Sequence, residues 1–88
     1  VSHDAVRFQQ TPNPNALKCV LNRPVGGGRR SYFNAEEARD DALAAALFAI
    51  PGVTNVLIQG DWVTVGKSPG ADWKSIRPSI ERVLREVR

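Results

Sequence analysis

Polar and apolar positions alternate from Val6 onward, Val6 and Phe8 facing one way and Arg7 and Gln9 the other, which is the two-residue period of a half-buried strand. Val1 to Ala5 carry no period and read as a flexible lead-in that includes His3. Thr11-Pro12-Asn13-Pro14-Asn15 stops the strand, because two prolines fix φ, bias Thr11 and Asn13 toward extended backbone and withhold two N–H donors. Alternation resumes at Ala16, with Leu17, Cys19 and Leu21 on one face and Lys18 and Val20 on the other, so a second strand pairs back on the first. Arg23 to Arg30, with Gly26-Gly27-Gly28 at its centre, reads as a surface loop. Ser31-Tyr32-Phe33 is β-prone enough for a brief third strand. Asn34 with Glu37 is a capping-box variant that starts a turn of helix. Asp40-Asp41 is a second start signal, ahead of an alanine-rich helix whose Leu43, Leu47 and Ile50 share a stripe and which ends at Pro51-Gly52.

The register of the next two strands follows from the turn between them. Val53 to Gln59 and Trp62 to Lys67 flank Gly60-Asp61, a two-residue turn of the Gly-X kind. Counting outward pairs Gln59 with Trp62, Ile58 with Val63, Leu57 with Thr64 and Val56 with Val65. Val56, Ile58, Val63 and Val65 then share a core face, and Leu57, Gln59, Trp62 and Thr64 share the opposite one. An apolar Leu57-Trp62 patch among polar groups has two readings, a docking surface or local cover for a hairpin edge. Asp72 caps a last amphipathic helix whose stripe is Trp73, Ile76, Ile80, Val83, Leu84 and Val87. Pro78 either kinks that helix or marks where its regular part begins. The order ββ[β]αββα predicts one α+β domain over residues 1–88: an antiparallel sheet with two helices packed on one face, a two-layer sandwich.

Composition narrows the chemistry. No window approaches the ~20 apolar residues of a membrane-spanning helix. The single cysteine and the lack of a basic or apolar leader point to a reducing cytoplasm. Cys19 and His3 are the only soft ligands, where a structural zinc or iron-sulfur site usually takes about four, so no metal site is assigned. Net charge is +3 with the cations dispersed, which falls short of a nucleic-acid footprint. The glycine run lacks the Lys-Ser/Thr pair of a phosphate-binding loop. An enzyme acting on an acidic substrate near Lys18, Arg29 and Arg30 lacks a base beside Ser31 or Cys19 and lacks paired carboxylates, so no catalytic residue is assigned.

Four blocks then share a pattern. Phe8 to Lys18 with its Thr-Pro-Asn-Pro-Asn-Ala-Leu-Lys stretch, Leu47 to Val53, Asp61 to Lys67, and Asp72-Trp73 with Pro78 resemble the amino-terminal domain of Nfu/NifU-type iron-sulfur cluster scaffold proteins. The resemblance runs from about Phe8 to the end. It departs at Cys19, where the family often has a bulkier apolar residue, at Gly66, which replaces a polar one, and in the Gly26 to Gly28 loop. In longer members this domain precedes another whose Cys-x-x-Cys pair carries the cluster, so the resemblance implies a stand-alone form of the accessory half. The implied role is a non-catalytic adaptor in iron-sulfur cluster assembly or delivery, not an enzyme, which docks assembly or acceptor proteins and meets a cluster only through a partner. The side chains expected at that contact are Asn13, Pro14, Asn15 and Lys18 in the loop and Leu57, Asp61, Trp62, Thr64 and Lys67 across the hairpin. Asn13 and Asn15 have a second reading, Asx-turns that satisfy the loop's own backbone. The alternative function is weak binding of iron, an acidic ligand or nucleic acid, through carboxylates such as Asp61 and Asp72 or through the arginines.

Overall fold

The computed structural model describes residues 5–22, 24–25 and 28–86, with side chains from Arg7 onward; the readings for His3, most of the glycine loop, Val87 and Arg88 lie outside these. The elements are β1 (Ala5–Gln10), β2 (Ala16–Leu21), β3 (Arg30–Tyr32), α1 (Ala42–Phe48), β4 (Val53–Gln59), β5 (Trp62–Lys67) and α2 (Trp73–Glu86). They form one five-stranded antiparallel sheet in the order β1-β2-β5-β4-β3, the α+β architecture expected. The β4–β5 register is the one counted from the turn, Gln59 opposite Trp62 through Val56 opposite Val65. Gly60 turns at φ +58° while Asp61 keeps a negative φ, the sign pattern of a Gly-first hairpin turn.

Direct partners across an antiparallel sheet share a face. One row reads Phe8, Cys19, Val63, Ile58, Arg30 and the next Gln10, Leu17, Val65, Val56, Tyr32. Both helices pack against these rows: Leu43, Ala44 and Leu47 of α1 and Ile76, Ile80 and Leu84 of α2 join Cys19, Leu21, Val56, Ile58, Val63 and Val65 in one buried cluster. Burying each such aliphatic side chain is worth about 1.5–3 kcal/mol, so this face holds most of the stability.

Three local expectations are refined. Asn34 and Glu37 do bond, Glu37 N–H donating to Asn34 Oδ1 at 2.8 Å and Phe33 N–H to the Glu37 carboxylate at 2.8 Å, yet residues 33–40 form successive turns instead of helix. Helix begins only after Asp41, whose carboxylate accepts the Ala44 N–H. Pro78 lies inside α2, which already runs from Trp73, so the proline does not mark where the helix begins.

Candidate docking surfaces

The Pro-Asn loop is held by its own polar groups. The Asn13 side chain accepts the Asn15 N–H at 2.9 Å, an Asx-turn, and Asn13 N–H donates to the Thr11 hydroxyl at 3.1 Å. The Thr11 hydroxyl in turn lies 2.8 Å from the Asn13 carbonyl and 3.0 Å from that of Ala16. Two longer ties fasten the loop to the fold. The Trp73 indole N–H donates to the Pro14 carbonyl at 3.0 Å, and the Lys67 ammonium donates to Asn15 Oδ1 at 3.0 Å and to the Ser68 carbonyl at 3.3 Å. The Lys67 backbone N–H adds a bond to the Asn15 carbonyl at 2.8 Å. Lys67 is only 9% exposed, and its ammonium lies 5.7 Å from the centre of the Trp73 ring. Behind the loop, β1, β2 and α2 leave a cleft of about 430 Å³ against Phe8, Leu17, Pro14, Trp73 and Arg77.

The other face of the sheet carries no helix. Its rows are Gln9, Lys18, Thr64, Leu57, Ser31 and then Arg7, Val20, Trp62, Gln59. Lys18, Val20, Leu57, Trp62 and Thr64 are each half-buried there. The Lys18 ammonium stands 4.7 Å from the centre of the Trp62 ring. Such a contact draws the cation to the face of the indole. Asn55 lies across Gly66 in the row beyond; a β-carbon at Gly66 would land inside the Asn55 amide.

Residues 6–88 match the family described as "Scaffold protein Nfu/NifU N terminal". The chain belongs to that family. Among its relatives are the mitochondrial NFU1 iron-sulfur cluster scaffold homolog of Drosophila erecta, 35% identical over 92% of this chain, and the mitochondrial NifU-like protein 5 of Arabidopsis thaliana, 37% identical over 92%. The chain spans about three tenths of their length, 29% and 30% respectively. The solution structure of a NifU-like protein from Saccharomyces cerevisiae shares the fold at a TM-score of 0.74 and 30% identity, covering 89% of this chain and 72% of that one. A Staphylococcus aureus protein, SAV1430, superimposes at 0.79 over 93% of this chain and 99% of its own with 23% identity, which speaks for the fold alone.

Within this Nfu N-terminal domain the expected contact residues separate into three places. Lys18, Leu57, Trp62 and Thr64 come together on the open face, and Asp61 is exposed at the hairpin tip beside them, its carbonyl accepting the Leu21 N–H at 2.7 Å. Asn13 and Pro14 are exposed on the loop, with Asn15 half-buried behind them. Lys67 is corrected: it does not stand beside Trp62, because it follows Val63 and Val65 on the helix-covered side and is spent on Asn15. The Asn13 side-chain oxygen is engaged as the Asx-turn reading has it, whereas that of Asn15 is taken by Lys67 and not by the loop's own backbone. Arg30 is taken up by Asp41 at 2.7 Å, with Tyr32 donating to the same carboxylate at 3.0 Å. Burial pushes the Asp41 carboxyl up, but the Ala44 N–H, Arg30 and Tyr32 together outweigh it and hold the group below its ordinary value.

Two features had no counterpart in the sequence reading. The first is the stacking of Lys18 on Trp62, which period alone places on one face without saying that they touch. The second is the cleft at Arg77, whose guanidinium lies 4.5 Å from the Phe8 ring. Cys19 is 0% exposed, and burial pushes its thiol up to about 12, a small apolar filler and not a nucleophile. Among the described residues no three of His, Cys, Asp and Glu gather, and no helix is long and apolar enough to cross a membrane.

Proposed function

We propose that this chain is a non-catalytic docking domain in iron-sulfur cluster assembly or delivery, and that its partner-facing surface is the open side of the sheet centred on Trp62. The observation that carries the reading is a half-buried aromatic on an uncovered sheet face, clasped by Lys18 and flanked by Leu57, Val20 and Thr64. Aromatic anchors ringed by polar groups are where binding energy concentrates in protein interfaces. Membership of the scaffold family and the cluster-scaffold names of its relatives supply the cargo class. The cluster travels on the partner, an assembly or acceptor protein, whose thiolates do the ligating. Asn13 and Pro14 lie apart from this contact, on the loop that Asn15 and Lys67 keep in shape. A reducing compartment suits a chain with one buried thiol, and the mitochondrial names of the relatives make an organellar setting as consistent as a cytoplasmic one.

The test is titration of the isotope-labelled chain with a cluster-loaded scaffold or acceptor protein from the same cell. Amide and indole shifts centred on Lys18, Leu57, Trp62 and Thr64 are expected, and Trp62→Ala is expected to weaken binding by about 2 kcal/mol, roughly thirtyfold. Undiminished binding by Trp62→Ala, or cluster transfer equal with and without the chain, overturns the reading.

A further inference from the structure

The cleft behind the Pro-Asn loop takes no part in the open-face contact, and its chemistry is different. At about 430 Å³ it falls within the range of small ligand sites. Phe8, Leu17, Pro14 and Trp73 give it an apolar side, Gln10, Thr11 and Asn13 a polar one, and Arg77 is the one charged residue on its lining. Arg77 is exposed, with its guanidinium carbon over the Phe8 ring, 4.5 Å from the ring centre. Stacking leaves the N–H edges of a guanidinium available, and those edges match a carboxylate bidentately. Among the described residues no carboxylate occupies them, and the one ion pair is Arg30 with Asp41.

Geometry adds a second element. Phe8 and Gln10, both on the cleft, belong to β1, which ends the sheet and has no strand on its far side among those described. An exposed strand edge accepts an extended segment through its main-chain groups, and alternate side chains of that segment then point to the side where Phe8 and Arg77 lie.

We propose that the cleft is a second recognition site and that it takes an extended acidic segment of a protein partner, with main-chain pairing along β1, a carboxylate on Arg77 and a neighbouring apolar side chain against Phe8 and Trp73. A nucleic-acid strand needs a path of several cations, whereas a single arginine beside Phe8 and Trp73 fits one carboxylate next to one hydrophobe.

The probe is the peptide Ac-Leu-Asp-Phe-Glu-Leu-Asp-NH2, with its amide analogue Ac-Leu-Asn-Phe-Gln-Leu-Asn-NH2 as control, titrated into the labelled chain. The indole N–H of Trp73, bonded to Pro14, is a single-proton reporter separate from that of Trp62. The acidic peptide is expected to shift the Trp73 indole, the β1 amides and the Arg77 Nε–H. The amide analogue is expected to bind about fivefold more weakly, and Arg77→Gln to lose about the same factor, in line with one solvent-exposed ion pair. Equal binding of the two peptides, no effect of Arg77→Gln, or shifts at Lys18 and Trp62 instead of Trp73 overturn the proposal. So does a single-stranded RNA that moves the same reporters when the acidic peptide does not. The two-peptide comparison uses the unaltered chain and stands even if Arg77→Gln perturbs the fold, and since Trp62 and Trp73 report separately, either recognition surface fails without the other.

Discussion

Lys18 and Lys67 each sit beside a tryptophan, and the two pairs lie on opposite sides of one sheet. Lys18 is half-buried over Trp62, 4.7 Å from the ring centre, with no acceptor for its ammonium among the described residues. Lys67 is buried beside Trp73 at 5.7 Å, and its ammonium ends on Asn15 Oδ1 and the Ser68 carbonyl. Where acceptors surround the ammonium, the pair is architecture: Lys67 and Trp73 together pin Asn15 and Pro14, so the loop has one shape. Where the ammonium has only a ring beneath it, the pair stays on an uncovered face with donors to spare. Residue type alone is therefore a poor guide to role here; the number of internal acceptors within reach separates a structural lysine from one left for a partner.

The sharpest test of this contrast between faces is a pair of adjacent residues. Ile58 is 0% exposed in the row facing the helices, and Leu57 is half-buried in the row facing away. Ile58→Ala is expected to cost about 3 kcal/mol, from a range of roughly 2–5 for such truncations, and Leu57→Ala less than about 1. Equal losses in denaturant titration would show that the open face is part of the core. The two lysines come next. Lys67→Met strands the Asn15 and Ser68 acceptors in a part-buried site and is expected to cost about 2 kcal/mol and to move the amides of residues 11–16, whereas Lys18→Met is expected to change stability by no more than about 0.5 kcal/mol. A Lys18→Met loss as large as that of Lys67→Met would collapse the distinction.

How much of this was legible depended on range. Strand periods and the Gly60-Asp61 turn act over a few residues, so the β4–β5 register and the core set Val56, Ile58, Val63 and Val65 could be counted along the chain. The insertion of β5 between β2 and β4 could not, because Lys18 and Thr64 carry no local mark of their pairing. Lys67 shows the same limit from the other side. Its parity with Val63 and Val65 was visible and implied the covered face, but the acceptor that makes a buried lysine tolerable is Asn15, fifty-two positions away. Trp73 reads as part of the helix stripe, yet as the first residue of α2 it sends its indole N–H out to Pro14. The surface around Trp62 was therefore visible as a face, while the loop's anchoring and the Arg77 cleft rest on contacts between distant segments.

Cys19 gives the smallest expected difference between the two chains compared, and the one most specific to the covered face, where its row partners are Phe8 and Val63. Burial holds the folded thiol protonated up to about 12, with the nearby Arg77 pulling the other way more weakly, while the unfolded thiol ionises from its ordinary value of 9.0. Because the raised value belongs to the folded state, the thiol's contribution is intact below pH 9 and is lost progressively as the pH climbs from 9 toward 12. Between pH 8 and 10 this loss is about 1 kcal/mol. Chemical denaturation of the unaltered chain and of Cys19→Ala at both pH values isolates it: the alanine chain starts less stable, from the cavity it opens, but is expected to lose about 1 kcal/mol less over the interval. A thiol reagent at pH 8 should label Cys19 only at the rate of unfolding. Rapid labelling of the folded chain, or the same pH slope in both chains, would place Cys19 within reach of solvent and undo the assignment of its row to the sealed side of the sheet.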